Sequence, residues 1–270
     1  MTRPGSPRRA GVALLLALTV SAALTTSATA QTRRPAAQMN VFAAASLTEA
    51  FPKFDEGQKY NFAGTDALAA QIRLGAPADV FAGASPDAPQ ALFRAGLVER
   101  PVTFATNKLM LAVPAANPAG ITSVYDLRRP GIKLVIGTAT VPIGIYTRQV
   151  LGYLGLSEPA LKNVVSLEQN VNAISAKVAL GTADAGFMYV TDARSVADKV
   201  KLIPLPVWAQ APVRYQIAIV KSTKNRADAV AFIKRLTSKA GRKLLVDNGF
   251  GVPKLPPAKK PAKKKQKTSS

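Results

Sequence analysis

The stretch Val41-Phe-Ala-Ala-Ala-Ser46-Leu-Thr-Glu49 decides the fold. Asn40 to Ala45 is an apolar run without alternation, the habit of a parallel strand buried on both faces. The run ends in small residues, and a hydroxyl then opens a helix. Ser46 with Glu49 three residues later is a capping-box pattern, which puts Ser46 at the helix N-cap. A strand that runs into a helix start leaves backbone N–H groups and the positive end of the helix dipole facing the turn, which is a ready anion site. Further on, Asn61-Phe-Ala-Gly64-Thr65-Asp66-Ala-Leu68 repeats the arrangement of short strand, small residues, hydroxyl and helix. Two hydroxyl-bearing helix starts can face one cleft.

Outward from these two stretches, short strands and helices alternate. Strands are expected at Val80–Ala84, Lys108–Val113, Lys133–Gly137, Val164–Leu167, Ala185–Tyr189, Lys201–Pro204 and Tyr215–Val220. Helices are expected at Ala67–Leu74, Pro89–Ala95, Ile145–Leu154, Asn172–Leu180, Thr191–Val196 and, as one long element, Asn225–Val246. The alternation predicts an α/β architecture with parallel-rich sheets flanked by helices. Two comparable β/α sets, with the chain re-entering the first near residue 212, predict two lobes: 40–109 with 212–253, and 110–211.

The ends of the chain read differently. Arg3, Arg8 and Arg9 precede the short apolar run Gly11–Ala23, and Ala28-Thr-Ala30 is a small-x-small cleavage site, so residues 1–30 read as a secretory signal peptide. Residues 31–39 read as a linker. Lys254 to Ser270 is a Pro/Ala/Lys low-complexity tail, expected to be disordered. It is either a weak electrostatic tether to an anionic surface or a solvated tail without a partner. Signal and tail hold three Arg and seven Lys with no acid, so the formal charge of +21 falls to +11 for residues 31–253. No basic stretch is interleaved with aromatics, and no nucleic-acid role is expected. With no cysteine there is neither a lipid-attachment site nor a disulfide framework, so the mature protein is expected to be soluble, periplasmic and not a lipoprotein. The chain has no His either, so the usual general base and thiol nucleophile are absent. No P-loop and no metal-spaced acid cluster appears, and catalysis is not expected.

Four motifs then carry a resemblance. Phe42-Ala-Ala-Ala-Ser46-Leu47-Thr48, Phe62-Ala-x-Thr65-x-x-Leu68-Ala-x-Gln71-Ile72, Gly75-Ala-Pro-Ala-Asp79-Val80-Phe81 and Val141-Pro142-x-Gly144-Ile145-Tyr146 resemble the periplasmic molybdate-binding proteins of ABC transporters, collinearly from about Asn40 to Pro253. The resemblance implies a type II periplasmic-binding fold, two α/β lobes with one oxyanion in the cleft between them. It also implies capture of molybdate, and of tungstate, by a monomer that hands the anion to a membrane permease. No cofactor is implied, and molybdenum enters only as the oxyanion.

Residue by residue, Ser46 and Thr65 match the family's hydroxyl ligands, Ile143 and Val171 match positions that donate backbone N–H groups, and Tyr189 matches a phenol that hydrogen-bonds the anion. Recognition by neutral dipoles needs no counter-charge. It also implies a selectivity. A fully deprotonated tetrahedral dianion only accepts hydrogen bonds, whereas hydrogenphosphate carries a proton that needs an acceptor. A buried group left unpaired costs roughly 1–3 kcal/mol, or 5- to 150-fold in affinity. Asp66 departs from the family, which has a small or hydroxyl residue there. It either caps its own helix, as its first-turn position favours, or faces the cleft and selects a protonated ligand. Arg148 reads as a solvated helix residue or as an attractor of the anion. The alternative function in the same fold is binding of sulfate, phosphate or a small organic acid.

Overall fold

The computed structural model describes residues 37–254. The signal peptide read at 1–30, most of the linker at 31–39 and the tail beyond Lys254 lie outside the described residues. β1 (Asn40–Ala44) passes into a 3-10 turn (Ala45–Leu47) and the short α1 (Ala50–Phe54), followed by β2 (Lys59–Ala63), α2 (Thr65–Arg73), β3 (Val80–Gly83), α3 (Asp87–Arg94) and β4 (Val102–Thr106). β5 (Leu109–Pro114) opens a second set. After a 3-10 turn (Val124–Arg128) come β6 (Leu134–Gly137), α4 (Pro142–Tyr153), α5 (Ser157–Leu161), β7 (Val164–Glu168), α6 (Val171–Ala179), β8 (Ala185–Tyr189), α7 (Val190–Arg194) and β9 (Val200–Pro204). A 3-10 turn (Val207–Ala209) leads back to β10 (Arg214–Ile219), α8 (Arg226–Thr237) and α9 (Lys239–Asp247).

The strands form two five-stranded sheets, in the orders β2-β1-β3-β10-β4 and β7-β6-β8-β5-β9. Each is mixed rather than parallel throughout. β1 pairs parallel with β2 and β3, while β10 pairs antiparallel with β3 and β4. In the second sheet β6 pairs parallel with β7 and β8, while β5 pairs antiparallel with β8 and β9. The antiparallel members are the strands nearest the two crossings between sheets, where the chain changes direction. The crossings are stapled together: Gln210 Nε2 donates to the Leu109 carbonyl (2.9 Å) and its Oε1 accepts the Leu109 N–H (3.1 Å).

The unbroken apolar run of β1 is explained by its cover, since Val41 to Ala44 are all buried between helices on both faces of the sheet. Phe51 of α1 packs against Tyr60, Phe104 and Phe232 at ring separations of 6.0–6.1 Å, closing one face. The helix expected over Asn225–Val246 is two helices. Ser238 stops α8 with extended backbone, and its hydroxyl then accepts the Gly241 N–H as the N-cap of α9. The carboxyl ends of β1, β2, β6 and β8 turn into helices on one side of their sheets, which is where α/β folds place ligands.

Candidate functional site

Ser46 is buried inside the 3-10 turn that follows β1, not at a helix N-cap. The capping box with Glu49 does not form: Ala44 is the N-cap of the turn and Glu49 that of α1, with no side-chain bond at either. The tight turn instead points the Ser46 hydroxyl inward, 2.8 Å from the Tyr215 hydroxyl on β10. Asn107 Nδ2 also donates to the Tyr215 oxygen (3.3 Å). Either hydroxyl of the Ser46–Tyr215 pair can donate, and when Tyr215 does, the serine hydrogen is left for another acceptor. Thr65 is in the same condition. Gly64 is the N-cap of α2 and Thr65 its first residue, and its Oγ1 accepts the Ala84 N–H at 3.1 Å, which leaves its own hydrogen free.

Asp66 does not cap its helix. Its Oδ2 accepts from Thr140 Oγ1 at 3.0 Å, a bond from the first sheet's half of the chain to the second's, and its Oδ1 is buried without a partner. The N-cap of α2 lies too close to the second half for a local cap to win. A Cβ on Gly64 would stand 2.4 Å from the Gln169 carbonyl and 2.9 Å from Asp66 Oδ1.

The second half contributes two helix starts and a strand end. α4 begins with Pro142 at its first position, which fixes φ and has no N–H to satisfy. Ile143 follows, and among the described residues its N–H has no acceptor. Arg148 neither floats in solvent nor faces the site. Its Nη1 donates to the carbonyls of Gly137 (2.8 Å) and Gly144 (3.1 Å), tying α4 to the end of β6, and burial lowers its pKa. α6 begins at Val171 behind an Asn170 N-cap, whose side chain accepts the Ala173 N–H (3.1 Å) and leaves the Val171 N–H without an acceptor. Tyr189 ends β8. It is buried, its hydroxyl has no partner, and burial raises its pKa well above the ordinary phenol value, so it is neutral.

These residues meet. One pocket is lined by Ser46, Thr65, Ile143, Val171 and Tyr189, with the small or apolar Ala44, Ala45, Ala63, Gly64, Ala84, Val141 and Pro142 and the capping Asn170 between them. No Lys, Arg, Asp or Glu is in its wall, and Asp66 lies outside it. Among the described residues no group of three or more His, Cys, Asp or Glu is placed to hold a metal ion. The cavity thus offers three hydroxyl hydrogens and two helix-start N–H groups, all donors and all uncharged. Sequence reasoning missed the support layer of Tyr215 and Asn107. Asn107 and Tyr215 sit at the two crossings, and nothing local marks them.

Residues 36–251 match the family described as bacterial extracellular solute-binding protein. The chain belongs to that family. The molybdate-binding protein ModA of Mycobacterium tuberculosis is 40% identical over 223 residues, spanning 79% of this chain and 84% of its own. ModA of Haemophilus influenzae is 31% identical over 233 residues, spanning 80% and 91%. The solved periplasmic molybdate-binding protein of Azotobacter vinelandii superposes with a TM-score of 0.71 over 80% of this chain and all of its own; at 24% identity it speaks for the fold. The two mixed sheets flanked by helices are therefore the architecture of a type II periplasmic-binding fold.

Proposed function

We propose that this chain is the solute-binding protein of an ABC transporter, and that it captures molybdate, with tungstate as an equivalent ligand, and delivers it to a membrane permease. The observation that carries the reading is the Tyr189 hydroxyl, buried without a partner in the wall of a cavity built only of donors. A buried polar group without a partner is costly, and an acceptor-only dianion removes that cost. The names of the curated relatives point to the same ligand. Ser46, Thr65 and Tyr189 would donate hydroxyl hydrogens, Ile143 and Val171 backbone N–H groups. Two lobes built on the two sheets would close over the anion, exclude water and present a joined surface to the permease. No step of this function needs a catalytic residue. The same reading makes the mature chain an exported monomer.

Calorimetric titration of the mature chain tests the proposal. One-to-one binding of molybdate, with hydrogenphosphate at least about 5- to 150-fold weaker, is expected from the missing acceptor. Phosphate binding as tight as molybdate binding would sink it.

Asp66 supplies a second expectation. An asparagine there keeps an oxygen for the Thr140 hydroxyl while removing a negative charge near the cavity. Asp66→Asn should strengthen molybdate binding by roughly 2- to 5-fold, the size of a solvent-screened charge effect. The preference for molybdate over phosphate should not change. A collapse of that preference in the same titration would place Asp66 in the recognition set.

A further inference from the structure

A second cavity lies on the other side of Ser46. Its wall is rich in polar side chains, among them Ser46, Thr48, Asn172, Thr191, Ser195 and Asn248. Its wall also contains Asp192, the third residue of α7 and three positions after Tyr189. Asp192 is 6% exposed, and its Oδ2 has no hydrogen-bond partner. A buried, unpartnered carboxylate oxygen is the most costly kind of orphan, and the anion site makes no use of it. Ser46 stands in the wall of both cavities and separates the two.

We propose that Asp192 is a proton site coupled to the anion site, so that the chain takes up a proton as it takes up the dianion. The inference rests on the molybdate reading above. Its physical basis is the neighbourhood of Asp192. Glu49 is the other carboxylate of this cavity, and it is exposed and engaged with Lys53 at 3.7 Å. Arg194, on Asp192's own helix, is turned to the Asp247 carbonyl at 2.8 Å. The elements packed around the cavity, α6, α9 and the turn after β1, present only neutral groups there: Asn172, Asn248, Ser46 and Thr48. Burial, with the nearby Asp192 charge, raises the pKa of the phenols Tyr189 and Tyr215 and keeps both neutral.

No cation therefore answers the Asp192 carboxylate. Burial raises its pKa from the ordinary aspartate value to about 7, against the pull of backbone N–H groups at the start of α7. A dianion arriving beyond Ser46 adds two negative charges and disfavours the ionised form further. Protonation gives Oδ2 a hydrogen and cancels the like charge in one step. The bond formed is Asp192 O–H, the proton comes from solvent, and no other bond changes.

The sign of the linkage is fixed. The anion-bound state holds the proton more tightly, so affinity is highest below pH 7 and falls as pH rises through the free-state value. Molybdate titrations of the mature chain in two buffers of different ionisation enthalpy read the proton directly. About half a proton taken up per anion at pH 7 is expected, with affinity falling roughly 5- to 20-fold between pH 6.5 and 8.5. Asp192→Asn should bind molybdate with a flat pH profile and no uptake. Molybdate binding without proton uptake by the parent chain overturns the coupling, whether or not the variant folds. Uptake that persists in Asp192→Asn also overturns it. Absence of molybdate binding at every pH overturns the functional reading itself, and the coupling with it.

Discussion

Gly144→Ala is expected to weaken molybdate binding about 100-fold and to lower the melting temperature by several degrees. Gly144 is the third residue of α4, directly after Ile143, and it lies against the end of β6. A Cβ there would stand 1.8 Å from the Thr138 carbonyl oxygen and 2.5 Å from that of Gly137. Both are backbone atoms and cannot swing aside, so the helix start must retreat from the strand by more than about 1 Å. That retreat misplaces the Ile143 N–H and strains the bonds from Arg148 to the Gly137 and Gly144 carbonyls. A hydrogen bond to a charged group is worth about 1.5–3 kcal/mol, or roughly 10- to 150-fold in affinity. Overpacking at a backbone contact adds about 1–3 kcal/mol of destabilisation. The control is on the same helix. Gly152 is exposed, and a Cβ there meets nothing nearer than Ser157 Oγ at 3.8 Å. Gly152→Ala should therefore leave binding unchanged and stabilise the helix by about 0.5–1 kcal/mol. Calorimetry and thermal melts of the pair separate a shifted helix start from a general effect of alanine. Equal behaviour of the two variants would remove α4 from the account of the site.

What could be read in the sequence follows from what is local. Strand ends rich in alanine and glycine followed by a hydroxyl announced the two helix starts at Ser46 and Thr65, whereas Ile143 and Val171 were reached only through the family resemblance. The buried strands β1 and β8 were legible because their apolar runs have no alternation. β4 was not anticipated, because it lies at the edge of a sheet where only Phe104 and Ala105 are buried and Val102 is exposed. The break at Ser238 was hidden because the apolar periodicity continues across it, and only the turn of the backbone there reveals a cap. The Ser46 capping box failed for a non-local reason: its hydroxyl is engaged by Tyr215, 169 residues away. Asp66 obeyed the same logic, drawn to Thr140, 74 residues on. Short-range rules located the donors, and long-range bonds decided which way each one points.

Tyr189→Phe separates binding from stability more sharply than any other change in the cavity. The phenol oxygen is buried and unpartnered, so removing it relieves a desolvated polar atom in the ligand-free chain. The ring keeps its edge contact with Tyr215, whose centroid is 6.1 Å away. Stability without ligand should hold or rise by about 1 kcal/mol, because the orphan costs roughly 1–3 kcal/mol and its removal opens only a small void. Molybdate binding should fall, since a charge-assisted donor is lost from a site with no cation to compensate for it. The expected loss is about 1.5–3 kcal/mol, or roughly 10- to 150-fold in affinity. Thermal melts with and without molybdate read both numbers at once. The variant should melt at or above the parent when free and below it when saturated. Tyr215→Phe gives the opposite free-state result, because its hydroxyl joins Asn107 to Ser46 and cannot be removed without orphaning a partner. A Tyr189→Phe chain that loses stability when free would mean its hydroxyl serves the fold. One that keeps parental affinity would mean the anion is held by the helix starts and the two remaining hydroxyls alone.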